Sequence, residues 1–488
     1  MIALTAGEAA QLVGGRLAGS ASTDTVVTSV VTDSREAGPG SLFVAIRGER
    51  LDGHAHAAGA VERGAVLVLA DHEPGGDGGD AALPFLVVPD TTAALGDLAR
   101  GVLARLRSRS AREPRPHVVA VTGSVGKTTT KDLLAHLFSA QGPTVAPVRS
   151  FNNEVGLPVT VLRCDESTTD LVLEMGADAP GNIDYLTRIA PPDVACVLVV
   201  GNAHLAGMGG VDGVAAEKAS ILAALPEGGT AVLNADDQRV RAMAEGVTPG
   251  RRILTFGRAA DADVRADDIV VRQARVAFTL VSGAERAPVA LRLVGEHHLT
   301  NALAAAAVAL ASGLGLADVA TGLSSAGAAS PHRMAVSELG DGVTLIDDSY
   351  NANPDSMRAA LKALVALGRG RRTVAILGEM RELGPDSLLA HDAIGRLAVR
   401  LDVDRLLVVG TPARAMFTGA LLEGSFGEEA AFVETPDDAL AWWEANRQPG
   451  DVLLVKSSNG AELYRLADDI VAASGPTSKT GHEPEVPQ

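Results

Sequence analysis

Residues 122–129 read Thr-Gly-Ser-Val-Gly-Lys-Thr-Thr, directly after the apolar run 117–121 and before a helix-like stretch over 130–138. A strand, a glycine turn, a Lys-Thr pair and a helix make a phosphate cradle, because backbone N–H groups of the turn and helix N-terminus point at phosphate oxygens. In such a cradle Lys127 reaches the β- and γ-phosphates and the Thr128 hydroxyl holds Mg²⁺, while Gly123, Ser124, Val125, Gly126 and Thr129 form the walls. Val121 stands where the eight-residue form of the pattern has its first glycine, but Gly123-x-x-Gly126-Lys127-Thr128 keeps the functional end. The bland alternative is a Gly-rich turn with a chance lysine.

Other polar residues stand just past apolar runs, where open parallel sheets present ligands. Glu174 ends the run from 171, and a carboxylate beside a phosphate loop is a natural second ligand for Mg²⁺. A carboxylate at a helix N-terminus is the alternative. His204 follows the run 194–200 and is either a ligand or plain loop structure. Lys218 is one of only six lysines in the chain, and it lies on the helical stripe Val214, Ile221, Leu222, Leu225. Either it snorkels to solvent, or it is a desolvated, neutral amine. Such an amine can add CO₂ and become a carbamate, an oxygen ligand for Mg²⁺. Two further clusters, from Asp347 after the run 343–346 and from Leu377 after 373–376, are either ligand contacts or loops with a helix cap.

These positions require elements to carry them. The 488 residues suggest roughly three domains. The expected fold class is α/β. Residues 1–112 form a small first domain, with strands near 26–31, 42–46, 66–69 and 85–88, a Gly/Asp loop at 72–80 and a basic stretch over 100–116 that finishes one helix and links to the next domain. Residues 113–329 form a central, mostly parallel P-loop sheet, with strands at 118–121, 171–174, 194–200, 230–233 and 252–256. An antiparallel addition follows over 264–294, then a helix over 297–312. Residues 330–474 form a C-terminal Rossmann-like α/β domain, with strands at 343–347, 373–377, 405–409 and 452–456. It carries no G-x-G-x-x-G after a strand, which argues against a dinucleotide. The polar tail 475–488 is expected to be disordered.

Composition narrows the class. With 47% hydrophobic and 21% charged residues the chain reads as soluble and globular. A formal net charge of −18 argues against general nucleic-acid binding. Neither an export signal nor an apolar run of about 18 residues is visible, so neither secretion nor a membrane span is expected. Cys164 and Cys196 lack metal-ligand spacing and read as buried thiols in a reducing cytoplasm.

In this order the motifs resemble the Mur ligases, ATP-dependent amino-acid ligases of peptidoglycan synthesis. The likeness runs over about 25–470. It rests on the phosphate turn, Ser150-Phe-Asn-Asn-Glu-Val-Gly-Leu-Pro, Glu174-Met-Gly-Ala, Gly295-Glu-His-His-Leu-Thr-Asn and Pro331-His-Arg-Met. Asp348-Ser-Tyr-Asn-Ala-Asn-Pro-Asp-Ser-Met, Thr32-Asp-Ser-Arg and Phe43-Val-Ala-Ile-Arg-Gly look like the branch that adds D-alanyl-D-alanine. One segment departs: where the family has Val-Lys-Gly-Ser-Arg, this chain has Val455-Lys-Ser-Ser-Asn.

The resemblance implies a monomeric enzyme that uses ATP and two Mg²⁺ ions to join D-alanyl-D-alanine to a UDP-N-acetylmuramoyl-tripeptide through an acyl phosphate. It implies Lys127, His204 and Lys218 as catalytic. Thr128 and Glu174 would hold one Mg²⁺, and His204 and a carbamate on Lys218 the other. Asn301 would contact adenine, and Arg333 and Asp348 would reach ATP from the third domain. Ser34, Asn152, Asn153, Tyr350 and Asn351 fall in the substrate motifs. Arg35 and Arg47 are cations for the UDP-sugar in an otherwise acidic protein. The competing readings are a paralogue with another amine or acyl acceptor and a non-catalytic nucleotide sensor.

Overall fold

A computed structural model describes residues 1–48, 51–73, 83–110, 113–201, 205–424 and 429–473. The expected tail, most of the Gly/Asp loop and His204 lie outside the described residues. Three main sheets follow one another along the chain, with helices between most strands.

The first is five-stranded, in the order Arg16–Gly19, Pro84–Val87, Ala65–Ala70, Ser41–Val44, Ser29–Val31. The single run expected over 26–31 is split. Val26–Val27 pairs antiparallel with Leu4–Thr5, while Ser29–Val31 joins the main sheet. The helix Thr91–Arg107 closes this domain; Asp90 caps it by accepting from the N–H groups of Thr92 and Ala93. The basic stretch from residue 100 supplies the last turns of that helix, as expected, before the chain passes to the central domain.

The central sheet has nine strands. The phosphate-loop strand His117–Thr122 lies between Asp170–Glu174 and Val194–Val197, all parallel. The chain fills one side of that strand first and then crosses to the other, so its carboxyl end is a topological switch point. Thr230–Asn234 and Arg252–Gly257 extend the parallel part, and Arg275–Ser282 and Glu285–Ala290 supply the antiparallel edge. Near-continuous Val, Ala and Leu in these strands fits a sheet covered on both faces.

In the third sheet the last strand inserts between earlier ones: Thr344–Asp348, Val452–Lys456, Thr373–Leu377 lie side by side and parallel. That insertion brings residues some 110 positions apart into register, Asp348 beside Lys456. The helix Pro354–Leu367 starts from a capping box, Asn353 with Ser356, with Pro at its first turn. Both cysteines are free and buried, and burial pushes the Cys164 thiol up to about 12. No helix among the described residues is long and apolar enough to cross a membrane.

Candidate active site

The helix after the phosphate turn starts at Lys127 and runs to Ser139, three residues earlier than periodicity suggests. Gly126 must be glycine for two reasons. Its φ is +86°, and a Cβ there would lie 2.3 Å from Asn301 Oδ1. Asn301 is thus seated against the turn from the helix His298–Ala311. The turn is tied to the neighbouring strand's end: Ser124 N–H donates to the Val199 carbonyl at 2.8 Å, and Gly201 N–H donates to Ser124 Oγ at 2.9 Å. Lys127 Nζ donates to the Gly123 carbonyl at 2.7 Å. Burial pushes its pKa down, and the Glu174 carboxylate pulls the other way.

Thr128 and Glu174 meet at this turn. The Thr128 hydroxyl donates to Glu174 Oε2 at 3.0 Å, and Asn152 Nδ2 donates to Oε1 at 2.6 Å. Glu174 is only 1% exposed. Ser150 Oγ lies 2.7 Å from Thr128 Oγ1 and accepts from Arg333 Nη2 at 3.1 Å. A hydroxyl has one proton, so Ser150 gives its own to Thr128, and the chain Arg333–Ser150–Thr128–Glu174 runs from the third domain into the central one.

The facing wall comes from the third sheet. Arg333 lies over the Tyr350 ring, 4.4 Å from its centroid. Asp348 is buried and paired with Lys456, and its Oδ1 accepts from the Met334 N–H at 3.1 Å. Lys456 Nζ also donates to the Asn351 carbonyl at 2.8 Å, which holds the loop 349–353. Desolvation lowers the Lys456 pKa while Asp348 raises it.

Between these walls lies a cavity of about 390 Å³. It is lined by the turn from Ser124 to Thr129, by Asn152, Asn153 and Glu174, and by Arg333, Tyr350, Asn351 and Glu382. A second cavity of about 310 Å³ continues past Gly126 to Asn301, Asp348 and Lys456. Its histidines are neutral near pH 7: burial pushes His297 down to about 4 and His298 well below its usual range.

Lys218 lies on the helix Val211–Ala223 and is 3% exposed, so the snorkelling reading fails. Desolvation, helped by the charge of Lys127, lowers its pKa to about 7. The first-domain residues stay outside this cavity. Arg35 pairs with Asp33 at 2.6 Å and is exposed, and Ser34 sits in the same short 3-10 turn. Arg47 faces Asp52 at 3.6 Å and Asp71 at 3.7 Å. Nearby, His54 Nδ1 donates to Asp52 and Nε2 accepts from the Asp71 N–H at 3.2 Å, which leaves its ring no nitrogen for a metal.

Sequence reasoning assigns no role to Ser150, Lys456 or Glu382. Lys456 ends a strand and Glu382 falls in the polar segment after one, which was the available signal, but nothing local says which polar residue at such a strand end turns inward.

Family models for the Mur ligase family catalytic domain, the Mur ligase middle domain and the Mur ligase glutamate ligase domain match residues 26–102, 121–309 and 332–459. The UDP-N-acetylmuramoyl-tripeptide–D-alanyl-D-alanine ligase of Mycobacterium tuberculosis is 44% identical, covering 97% of this chain and 98% of its own length. The Escherichia coli enzyme of that name is 34% identical, covering 96% and 98%. A crystal structure of MurF from Acinetobacter baumannii superposes with a TM-score of 0.82 at 32% identity, over 96% of this chain and 99% of that one. MurF from Thermotoga maritima in complex with ADP gives 0.74 at 28%, over 91% and 97%. With its phosphate turn, buried Thr128–Glu174 pair and facing third-domain wall, and at this identity over almost its whole length, the chain belongs to the Mur ligase family.

Proposed function

We infer that the chain is an ATP-dependent ligase of peptidoglycan precursor synthesis that joins D-alanyl-D-alanine to a UDP-N-acetylmuramoyl-tripeptide through an acyl phosphate. The observation that supports this is the cavity lined both by the phosphate turn and by Tyr350, Asn351 and Asn353 of the third domain, an enclosure suited to bringing a phosphoryl donor and an amine together. The nature of the relatives supports the choice of substrates.

The first chemical task is to bring a carboxylate against a polyphosphate, so neutralising charge dominates. The backbone N–H groups of the turn hold the phosphates. Lys127, already inside the cavity wall, moves from the Gly123 carbonyl to the β/γ oxygens. Arg333 adds a second cation from the third domain and closes the site against water that would hydrolyse an acyl phosphate. Asn301, against Gly126, marks the adenine end, and Asp348 lies on the same side. Tyr350, Asn351, Asn152 and Asn153 line the side where the acyl and amine substrates meet. The first domain holds the UDP-sugar, with Ser34, Arg35 and Arg47 as its contacts.

Thr128 and Glu174 fit a divalent cation: a hydroxyl and a fully buried carboxylate are hard oxygen donors already touching each other. Mg²⁺ bound there would neutralise phosphate charge. Lys218, with a pKa near 7, gives a neutral amine that adds CO₂ with loss of one proton. The carbamate is an anionic oxygen donor suited to a second cation, together with His204. The protein works in the cytoplasm as a monomer.

The Lys456-Ser-Ser-Asn departure favours one second reading, a paralogue of the same chemistry with another amine. Phosphate release measured over a panel of UDP-muramyl-peptides and amines decides. Release that depends on both UDP-N-acetylmuramoyl-tripeptide and D-alanyl-D-alanine is expected. A faster reaction with another amine would establish the paralogue, and ATP binding without turnover would establish a sensor.

A further inference from the structure

The linker between the central and third domains passes from one to the other between Ser330 and His332. Upstream, the Ala326 N–H still bonds within the central helix Leu316–Ser325, and the Ser330 N–H donates to Asp132 Oδ2 at 3.2 Å. Downstream, the His332 carbonyl accepts from the Tyr350 N–H at 3.1 Å, and His332 Nδ1 lies 2.7 Å from Asp347 Oδ2. The Met334 N–H donates to Asp348 Oδ1 at 3.1 Å. Among the described residues, Ser330 is therefore the last linker residue whose backbone the central domain holds.

The segment beyond it is stiff. His332 and Met334, on either side of Arg333, have φ of +58° and +47°, left-handed values that a residue with a Cβ tolerates poorly. The bonds to Tyr350, Asp347 and Asp348 hold them there, so Arg333 moves with the third domain as one piece. It lies three residues from Ser330, at most about 10 Å of chain. Where Ser330 is held thus sets how far Arg333 reaches.

Asp132 lies on the helix Lys127–Ser139 that begins at the phosphate turn. One of its oxygens pairs with Lys131, which is only 1% exposed. Lys131 Nζ also donates to the Pro147 carbonyl at 2.9 Å, three residues before Ser150, which receives Arg333. The neighbouring Lys131 and Asp132 therefore tie both ends of the Arg333–Ser150 contact to one helix. Charge balance for a buried lysine accounts for the oxygen on Lys131, not for the one on Ser330. Ser330 is 4% exposed, so without Asp132 its N–H has no water to turn to, and the linker must shift to satisfy it.

We propose that Asp132 is a positioning residue for Arg333: its Oδ2 fixes the linker at Ser330 so that Arg333 arrives at the phosphate end of the site. The role rests on the ligase reading above, in which Arg333 neutralises phosphoryl charge. Asp132 touches no substrate and acts through the linker.

Asp132→Ala alone strands Lys131 as a buried cation and confounds folding with function, so the test is set in a Lys131→Met background. There Asp132→Asn keeps an oxygen for the Ser330 N–H, and Asp132→Leu, of similar shape, removes it. Phosphate release is measured with UDP-N-acetylmuramoyl-tripeptide, D-alanyl-D-alanine, ATP and Mg²⁺, and thermal unfolding is recorded alongside. Asp132→Leu should show a kcat about tenfold below that of Asp132→Asn, with the ATP KM within about twofold. With Arg333→Ala added to both, the ratio should collapse to within about twofold, because the bond then has no guanidinium to place. Equal kcat in the two variants would overturn the proposal, and so would a ratio that persists without Arg333. Failure of Asp132→Leu to fold where Asp132→Asn folds would also overturn it and make Asp132 a structural group. If wild type releases no phosphate that depends on both substrates, the ligase reading itself has failed, and this proposal falls with it.

Discussion

The central domain makes two contacts with its neighbours, and they are of opposite kinds. Against the first domain, the helix Thr91–Arg107 places Leu95, Leu98, Val102 and Leu103 in one continuous core with Leu157, Val161 and Ile183 of the central domain. An Arg107–Asp193 pair stands at its rim. Against the third domain the ties are polar. Arg333 reaches Ser150, the Ser330 N–H donates to Asp132 Oδ2 at 3.2 Å, and cavities remain between the walls. Among the described residues, Ala274 and Val294 are the central-domain members of the third domain's core. Burying apolar surface is non-directional and strong, so the first contact makes one body of two domains. Polar ties can exchange with water or substrate, so the second contact is the one that can open, and the chemistry sits there. Arg333 touches the phosphate-turn wall through Ser150.

Substitutions can separate the two contacts. The largest effect is expected for Lys456→Met, which strands the buried Asp348 carboxylate. Removing one partner of a buried pair costs about 3–5 kcal/mol. In denaturant, the third domain should unfold early while the first and central domains hold together. Equal loss across all three would erase the distinction drawn here.

Next is Lys127→Ala. Turnover should fall by roughly two to three orders of magnitude, as for one preorganised charge contact, with both unfolding transitions unmoved. A fall of less than about threefold in a folded variant would remove the phosphate-turn assignment.

Lys218 gives a pH signature. Its folded pKa of about 7 is depressed from 10.5, so the unfolded chain binds more protons between those values. The penalty is fully present below pH 7 and is relieved as pH rises through that window. Activity in bicarbonate-containing buffer should rise through pH 7, falling about tenfold per unit well below it, since only the neutral amine adds CO₂. It should drop when CO₂ is stripped, and Lys218→Arg should not restore it, because a guanidinium offers no lone pair. A flat profile with no bicarbonate dependence would exclude the carbamate.

The smallest effect is expected from Ile183→Val in the shared core, about 0.5–1.5 kcal/mol. It should lower the first-and-central transition and leave the ATP KM unchanged. A shifted KM would mean that this interface too communicates with the site.

Strong local signals survived folding. The phosphate turn, the strand-end position of Glu174 and the Ala-rich helix carrying Asn301 stand where pattern placed them, because strand–turn–helix geometry is set within a few residues. The short strands Arg16–Gly19, Thr144–Val145, Ala335–Glu338 and Ala430–Val433 were not legible. Each has four residues or fewer, too few for a period, and is a strand only because a neighbour offers an edge. Lys218 was ambiguous for a related reason: a stripe position fits both snorkelling and burial, and only the surrounding packing decides between them.

Sequence by itself determined the chemistry available: a phosphate-binding backbone, a lysine and hydroxyl at its end, and polar segments at the ends of strands. Those depend on backbone geometry and residue type, which act over short range. Tertiary structure alone decided the pairings. The last strand's insertion sets Lys456 against Asp348, domain docking sets Arg333 against Ser150, and a buried His391 fixes the loop that presents Glu382. These contacts join residues from eleven to almost two hundred positions apart. Their partners are chosen by sheet order and domain packing, which no local pattern encodes.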